Sequence, residues 1–237
     1  MELFGNIENI VNNALMLAIP VLICITFHEL AHGFTAYKLG DTTAKDMGRL
    51  TFNPIKHIDP VGLMMLLFLT FGWAKPVPVD TRNFKHPKRD MAITALAGPV
   101  SNIILAIIFF MIIGLTTTLL GIIKDPITGY TYYTTEAGLI IYRMLSFTAL
   151  INVNLAVFNM LPFPPLDGSK VIFSLLPEHL YFKVMRYERF GMIILMVLFG
   201  LQMIFGINLF GTIIGYPRDF ILSAISIFET FTFNLVN

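Results

Sequence analysis

Long apolar runs separated by short polar segments dominate this sequence. Three of the runs, residues 91–123, 144–166 and 190–217, contain no Asp, Glu, Lys or Arg. A fourth run, residues 10–37, contains a single charged residue, Glu29. An α-helix needs about 20 mostly apolar residues to cross the hydrocarbon core of a bilayer. Each run is therefore long enough to form a membrane-spanning helix.

Shorter elements are predicted between and after these runs. Residues 60–74 are apolar but too short to span comfortably, which indicates a half-helix or a re-entrant element. Residues 75–80 are predicted to be extended, because each proline pushes the residue before it towards β geometry. The proline-rich run 162–165 must interrupt the helix that precedes it. The apolar tail 218–235 could span marginally or lie in the membrane interface.

These elements predict an all-α polytopic membrane protein with about five to six membrane-embedded helices, forming a single membrane-embedded domain over residues 1–237. Composition agrees, because 13% of the residues are charged, against about 25% in soluble domains. The net charge of +1 gives no reason to expect nucleic-acid binding. The lone cysteine, Cys24, excludes a disulfide within the chain and a cysteine-rich metal site.

The distribution of Lys and Arg predicts the orientation in the membrane. Residues 38–89 carry nine such side chains, residues 163–189 carry four, and residues 123–135 carry one. By the positive-inside rule the first two segments are cytoplasmic and the third is external. We therefore expect a multi-pass protein of a bacterial-type cell membrane.

Residues 28–32 read His-Glu-Leu-Ala-His, within the apolar run that holds Glu29. Residues four apart share one face of a helix, so His28 and His32 can hold a single ion. Zn²⁺ accepts histidine nitrogens and is usually tetrahedral. Glu29 is rotated by about 100° from His28 and can act on a water molecule beside the ion. An ionisable group at membrane depth is costly and usually functional, which favours a metal site over a structural hydrogen-bonded cluster.

A catalytic zinc ion usually has three protein ligands, so a third ligand must come from elsewhere in the chain. His57, His86 and His179 lie in polar segments and are expected to be solvated. Asp167 is the better candidate, because the proline-rich break would hold its carboxylate at the end of a spanning helix. Gly168 would permit a close backbone approach or a positive φ there. Taken alone, Asp167 would be an ordinary cap of the next helix.

Three further runs accompany the 28–32 motif: Asn53 to Pro60, Gly98 to Asn102, and the sequence NMLPFPPLDG at 159–168. In this combination the chain resembles the site-2 protease family of intramembrane zinc metalloproteases. The 28–32 pattern is shared by many metalloproteases, but its combination with the last run is highly specific. The resemblance covers about residues 10–190 and implies a minimal form without PDZ or CBS domains.

The resemblance implies that His28, His32 and Asp167 bind one zinc ion per chain and that Glu29 is the catalytic base. It also implies that Asn102 donates a hydrogen bond to the substrate carbonyl or to the developing oxyanion. The alternative for Asn102 is a hydrogen bond that joins two helices. The active site would lie nearer the cytoplasmic side of the membrane.

The implied activity is that of an intramembrane zinc endopeptidase, which hydrolyses peptide bonds in or near transmembrane segments of other membrane proteins. A substrate helix must unwind locally, because its peptide groups are sealed by internal hydrogen bonds. Residues 72–80 would be a small extended or β element near the active site. This segment would pair with the unwound substrate by β-augmentation, or would be a plain structural strand. Gly98 is expected to allow close helix packing near the site.

Other classes of protein remain open from the residues alone. A membrane-anchored zinc peptidase of the gluzincin type would need a downstream glutamate motif, and Glu136, Glu178, Glu188 and Glu229 offer none. A non-catalytic relative that binds membrane helices is disfavoured by the intact Glu29. A transporter would be expected to show paired discontinuous helices in two repeats. Expected partners are transmembrane protein substrates and the lipid bilayer, and the sequence does not define the oligomeric state.

Overall fold

A computed structural model describes residues 2–69, 72–124, 131–206 and 208–236 of the protein, and most of these residues are helical. The helices, in chain order, are α1 Glu2–Lys38, α2 Thr43–Asp46, α3 Pro60–Leu69, α4 Pro87–Thr116, α5 Glu136–Asn159, α6 Asp167–Phe173, α7 Glu178–Met185, α8 Glu188–Phe205 and α9 Leu209–Val236. Two short strands, β1 Ile122–Lys124 and β2 Thr131–Tyr133, pair antiparallel.

Three helices are long and apolar enough to cross a membrane: residues Ala18–Lys38 of α1, and the whole of α4 and α5. Helices α7 and α8 meet the same criterion together, but they are bent by 57° at the break between them. The described part of the chain therefore holds three candidate spans, or four if the bent pair is one span. This is fewer than the five to six membrane-embedded helices expected from the sequence.

The apolar run 190–217 folds differently from its prediction. The charge-free run 190–217 predicts a single spanning helix, but α8 ends at Phe205. Gly206 follows in the left-handed conformation, with φ of 66°, a geometry that commonly ends helices at glycine. The charge-free run is consequently divided between α8 and α9.

The chain forms two compact units. One contains the segment up to Cys24, residues Ile103–Val153 and the segment from Asp219 onward. The other contains residues Ile25–Asn102 and Asn154–Arg218. All of the predicted metal-binding and catalytic residues belong to the second unit.

Residues 72–80, between α3 and α4, are extended but do not form a regular strand. Their only bridge among the described residues is an isolated antiparallel one between Ile58 and Ala74, next to a hydrogen bond from Lys75 N to His57 O of 2.9 Å. Pro76 and Pro78 lack the N–H groups that a longer ladder would need. The predicted extended element is thus present, whereas its β character is reduced to one bridge.

An aromatic and aliphatic core supports the start of α6. Leu166, Leu195 and Phe210 form its buried centre, and the rings of Phe199 and Phe210 stack with centroids 4.2 Å apart. Leu166 directly precedes Asp167, so burial of its side chain anchors the backbone that presents the predicted third ligand.

Candidate metal centre and active site

Helix α1 brings two imidazoles together on one buried face. His28 and His32 are one helical turn apart, and their ring centroids are separated by 4.5 Å with the planes nearly perpendicular, at 88°. Their Nε2 atoms lie 3.0 Å apart. The four-residue spacing therefore does what the sequence predicts, because it directs both Nε2 atoms to one point.

Asp167, the first residue of α6, completes the group. Its Oδ2 atom lies 3.2 Å from the Nε2 atom of His28 and 3.2 Å from that of His32. One ligand atom from each of the three residues falls within 4.8 Å of the other two. The structure thus brings together the three residues that the sequence predicts as metal ligands.

Each histidine is oriented through its other ring nitrogen. His28 Nδ1 lies 2.6 Å from Asn102 Oδ1, and His32 Nδ1 lies 2.7 Å from the main-chain oxygen of Thr94. A carbonyl oxygen can only accept, so we assign the proton to Nδ1 in both rings. Both Nε2 atoms then carry lone pairs. Metal-binding histidines are held in this way, by a hydrogen bond from the ring nitrogen that does not face the metal.

The donor set fits a zinc ion. Two Nε2 lone pairs and a carboxylate oxygen face one another with no proton to share, and Asp167 Oδ2 is buried without a hydrogen-bond partner. A cation placed among them would remove this repulsion. Zinc bonds of about 2.0–2.1 Å in a tetrahedron put neighbouring ligand atoms about 3.3 Å apart, close to the 3.0 and 3.2 Å separations.

Helix α4 passes close to the two imidazoles at Gly98. A Cβ atom added there would overlap with His32 Nε2 and with the ring of His28. The close packing expected of Gly98 is therefore confirmed. The same close approach of the helices brings Thr94 and Asn102, one helical turn to either side of Gly98, within hydrogen-bond distance of the two Nδ1 atoms.

Glu29 lies outside the group of three ligand atoms. Its Oε2 atom accepts a hydrogen bond of 2.7 Å from Val77 N in the extended segment. Glu29 and the three predicted ligands line a cavity of about 700 Å³ together with six residues of the segment 72–79. The cavity therefore places a carboxylate beside the candidate metal centre, with an extended chain as one wall.

Asn102 has a different position from the one predicted. It is fully buried and is not among the described residues that line the cavity. Its side-chain oxygen contacts a predicted ligand rather than the space where a substrate would lie. A hydrogen bond from Asn102 to a substrate stays a prediction, and the observed contact indicates that Asn102 orients His28.

The other histidines divide into two kinds. His86 and His179 are exposed, as expected. The expectation for His57 was wrong, because this residue is 1% exposed and its Nε2 atom bonds to the Thr51 main-chain oxygen at 2.9 Å. Because His57 is buried, it has a structural role in the segment between α2 and α3. The predicted ligand group does not include it.

Two contributors to the site were not predicted. Thr94 acts through its main-chain oxygen, which no side-chain pattern reveals. Arg49 donates from Nη2 to the main-chain oxygens of Lys75 and Pro76, at 2.9 and 3.3 Å. The only sequence signal for Arg49 is its place in the basic segment 38–89, and that segment indicates orientation in the membrane.

Comparison with known proteins identifies relatives. The model of peptidase family M50 matches residues 16–205. YwhC of Bacillus subtilis is 41% identical over 184 residues, which cover 77% of this chain and 79% of that protein. Rip2 of Mycobacterium tuberculosis H37Rv is 30% identical over 75% of this chain and 64% of its own length. MJ0611 of Methanocaldococcus jannaschii is 33% identical over 62% of this chain and 63% of its own length.

Each of these three relatives is named as a candidate zinc metalloprotease. The matched region spans about four-fifths of YwhC, but less than two thirds of Rip2 and MJ0611. No solved structure matches the chain.

Proposed function

The chain belongs to peptidase family M50, the site-2 protease family, and we propose that it cleaves peptide bonds in or near transmembrane segments of other membrane proteins. The observation that carries the proposal is the convergence of His28, His32 and Asp167 beside Glu29, in one cavity. The helix that supplies three of these residues is long and apolar enough to span a membrane.

His28, His32 and Asp167 would hold one zinc ion per chain. A bound zinc ion supplies Lewis acidity towards a scissile carbonyl and makes water a far better nucleophile at neutral pH. Three protein ligands are the number typical of catalytic rather than structural zinc sites. The gluzincin alternative loses support, because the third member of the group is an aspartate and not a glutamate from a later helix.

Glu29 would act as the general base. Its carboxylate lines the cavity without belonging to the ligand group, so it is free to take a proton from the attacking water. The same carboxyl group would then deliver the proton to the leaving amine. The hydrogen bond from Val77 N would keep one carboxylate oxygen in place and leave Oε1 for the water.

The substrate would be held in an unwound, extended form against the wall that residues 72–79 provide. Peptide groups of an unwound helix need new hydrogen-bond partners when no bulk water is present. Two of the segment's N–H groups are engaged, those of Lys75 and Val77, and Pro76 and Pro78 have none. β-augmentation by this segment stays a prediction, and a substrate could use the Val77 donor only by displacing Glu29.

The placement in the membrane is also part of the proposal. We retain the multi-pass topology, with the active site nearer the cytoplasmic side, and the total of five to six membrane-embedded helices. Helices α3 and α9 would supply the additional embedded segments. A single domain over residues 1–237 is supported by the chain passing between the two compact units four times, so that neither unit is a continuous piece.

The experiment that tests the function compares wild type with Glu29→Gln. The amide cannot accept the water proton, so purified protein should keep about one zinc ion per chain and lose cleavage by about 10²–10⁴-fold. Quantitative proteomics of native membranes should find membrane proteins that accumulate uncut with the variant. Cleavage by Glu29→Gln near the wild-type rate would refute the mechanism. Absence of any protein that accumulates uncut would favour a non-catalytic, helix-binding protein.

A further inference from the structure

The peptide group that joins Pro76 to Val77 lies between a buried cation and a buried carboxylate. Its N–H, on Val77, donates to Glu29 Oε2 at 2.7 Å. Its carbonyl, on Pro76, accepts from Arg49 Nη2 at 3.3 Å, and the same Nη2 donates to Lys75 O at 2.9 Å. One peptide unit therefore connects the guanidinium of Arg49 to the proposed catalytic base.

The charged side chains at both ends of this connection are buried. Arg49 is 7% exposed and Glu29 is 8% exposed. In the described part of the chain no carboxylate forms an ion pair with Arg49; its Nη2 donates to two main-chain oxygens, and its Nε is buried without a hydrogen-bond partner there. A buried cation without a carboxylate is costly, and the two hydrogen bonds that Nη2 donates offset part of that cost.

The two hydrogen bonds polarise the peptide group in the same sense. The cation draws electron density towards the carbonyl oxygen, and the carboxylate draws the amide hydrogen towards itself. Hydrogen bonds in such a chain strengthen each other, and more so where water is excluded. Arg49 can therefore influence Glu29 without touching it.

Close packing restricts the movement of the residues that connect Arg49 to Glu29. Gly33 lies one turn after Glu29 on α1, and a Cβ atom added there would be 2.6 Å from Leu50 Cδ2 and 2.9 Å from Val77 Cγ1. The residue after Arg49 and the residue that binds Glu29 thus both rest on the same short stretch of α1. A displacement of the Arg49 side chain would move the Val77 N–H relative to the carboxylate.

We infer that Arg49 is a positioning residue for Glu29, which it holds in place through the Pro76–Val77 peptide group. This inference rests on the proposed function, in which Glu29 is the base. Arg49 keeps the segment at the distance where Val77 N–H fixes one carboxylate oxygen and directs the other into the cavity. Misplacement of a catalytic group by about 1 Å can cost about 10²-fold in rate.

The first test uses Arg49→Met, Arg49→Lys and the control Arg82→Met. Arg82 is an exposed arginine close to the same segment, and its guanidinium pairs with Asp80 at 2.6 Å. Two quantities are measured for each variant: its zinc content, and its cleavage of a synthetic peptide in proteoliposomes. The peptide is a membrane-spanning Leu/Ala sequence with a central Gly-Pro pair, and it carries a fluorophore and a quencher. For Arg49→Met we expect kcat to fall about 10–100-fold, with KM within about twofold and zinc retained.

The lysine variant should recover part of the lost kcat, because an ammonium group can donate to one or both carbonyls but lacks the planar fork of arginine. Arg82→Met should keep both constants within about twofold. An unchanged kcat in Arg49→Met would overturn the inference. So would a loss of zinc in proportion to activity, since Arg49 would then support the fold and not Glu29 in particular.

The second test does not depend on catalysis. Hydrogen exchange of a peptide that covers residues 73–80 reports on few amides, because Pro76 and Pro78 have none. Exchange in this peptide should become faster in Arg49→Met and in Glu29→Ala, and remain unchanged in Arg82→Met. Unchanged exchange in Arg49→Met would sink the inference even if the wild type is an active protease. Cleavage of no substrate by the wild type would instead sink the proposed function.

Discussion

His28 Nδ1 donates to Asn102 Oδ1 across 2.6 Å, a contact that links a predicted metal ligand on α1 to a fully buried amide on α4. The contact assigns the imidazole tautomer and leaves Nε2 free to bind a metal. Partners of this kind typically contribute 10–100-fold to metal affinity or activity.

The first prediction separates the two tasks proposed for Asn102. Asn102→Leu removes the acceptor and should weaken zinc binding about 10–100-fold, as measured with a competing chelator. Asn102→Asp keeps an acceptor oxygen but loses the amide donor. If Asn102 only orients His28, the aspartate variant should retain zinc and most of kcat; if it donates to the substrate, zinc is retained but kcat falls. Ser101→Ala, at the neighbouring position, serves as the control and should change neither.

The second prediction concerns Gly98. Gly98→Ala places a methyl group where the His28 and His32 rings lie, and a buried backbone and two imidazoles cannot all move aside. Zinc content should fall severely, and the midpoint of thermal unfolding in detergent should drop. Gly200→Ala is the matched control, because an added Cβ there meets no atom within 4 Å. Alanine also favours the helix by about 1 kcal/mol over glycine, so this control should be neutral or stabilising.

The third prediction concerns Asp167 as the third ligand. Asp167→Ala leaves two imidazoles and an incomplete ligand set, so purified protein should contain much less than one zinc ion per chain. Asp46→Ala removes an exposed carboxylate that accepts from the Thr42 hydroxyl and should keep the wild-type zinc content. Tight, undiminished zinc in Asp167→Ala would show that the third ligand lies elsewhere.

The sequence predicts the parts of the site that depend on local spacing. His28 and His32 follow from the helical repeat, and Asp167 follows from the proline-rich break that precedes it. The Thr94 carbonyl could not be predicted, because a main-chain group carries no residue signature. Its role depends on how closely α4 approaches α1 at Gly98.

Two features of the fold also lie beyond sequence patterns. Gly200 and Gly206 occur in the same apolar run, yet Gly200 continues α8 whereas Gly206 is left-handed and ends it. A glycine permits either conformation, so the residue type alone does not decide between them. His57 shows the same limit, because a histidine in a basic, polar segment gave no sign that it would be buried.

The last prediction concerns Asp41, which fixes the far end of the segment that reaches Glu29. Asp41 is fully buried, and its carboxylate accepts from Asp80 N at 2.8 Å and from Asn83 Nδ2 at 2.8 Å. Burial alone would raise its pKa, but hydrogen bonds from the Thr43 hydroxyl, the Asn83 amide and the main-chain N–H groups of Asp80 and Thr43 outweigh burial and lower it.

A lowered pKa in the folded state means that Asp41 stabilises the fold above the unfolded pKa, about 3.9, and that this contribution is lost as the pH falls through the folded value. In Asp41→Asn an amide NH2 group replaces one carboxylate oxygen, so a donor faces N–H groups that need an acceptor. At pH 7 we expect the variant to be less stable by about 1–3 kcal/mol, and the difference from wild type should shrink below about pH 4. Thermal unfolding of both proteins across this range measures the difference, with Asp46→Asn as the surface control. A gap that stays constant down to pH 3 would show that the ionised carboxylate of Asp41 is not what holds the segment.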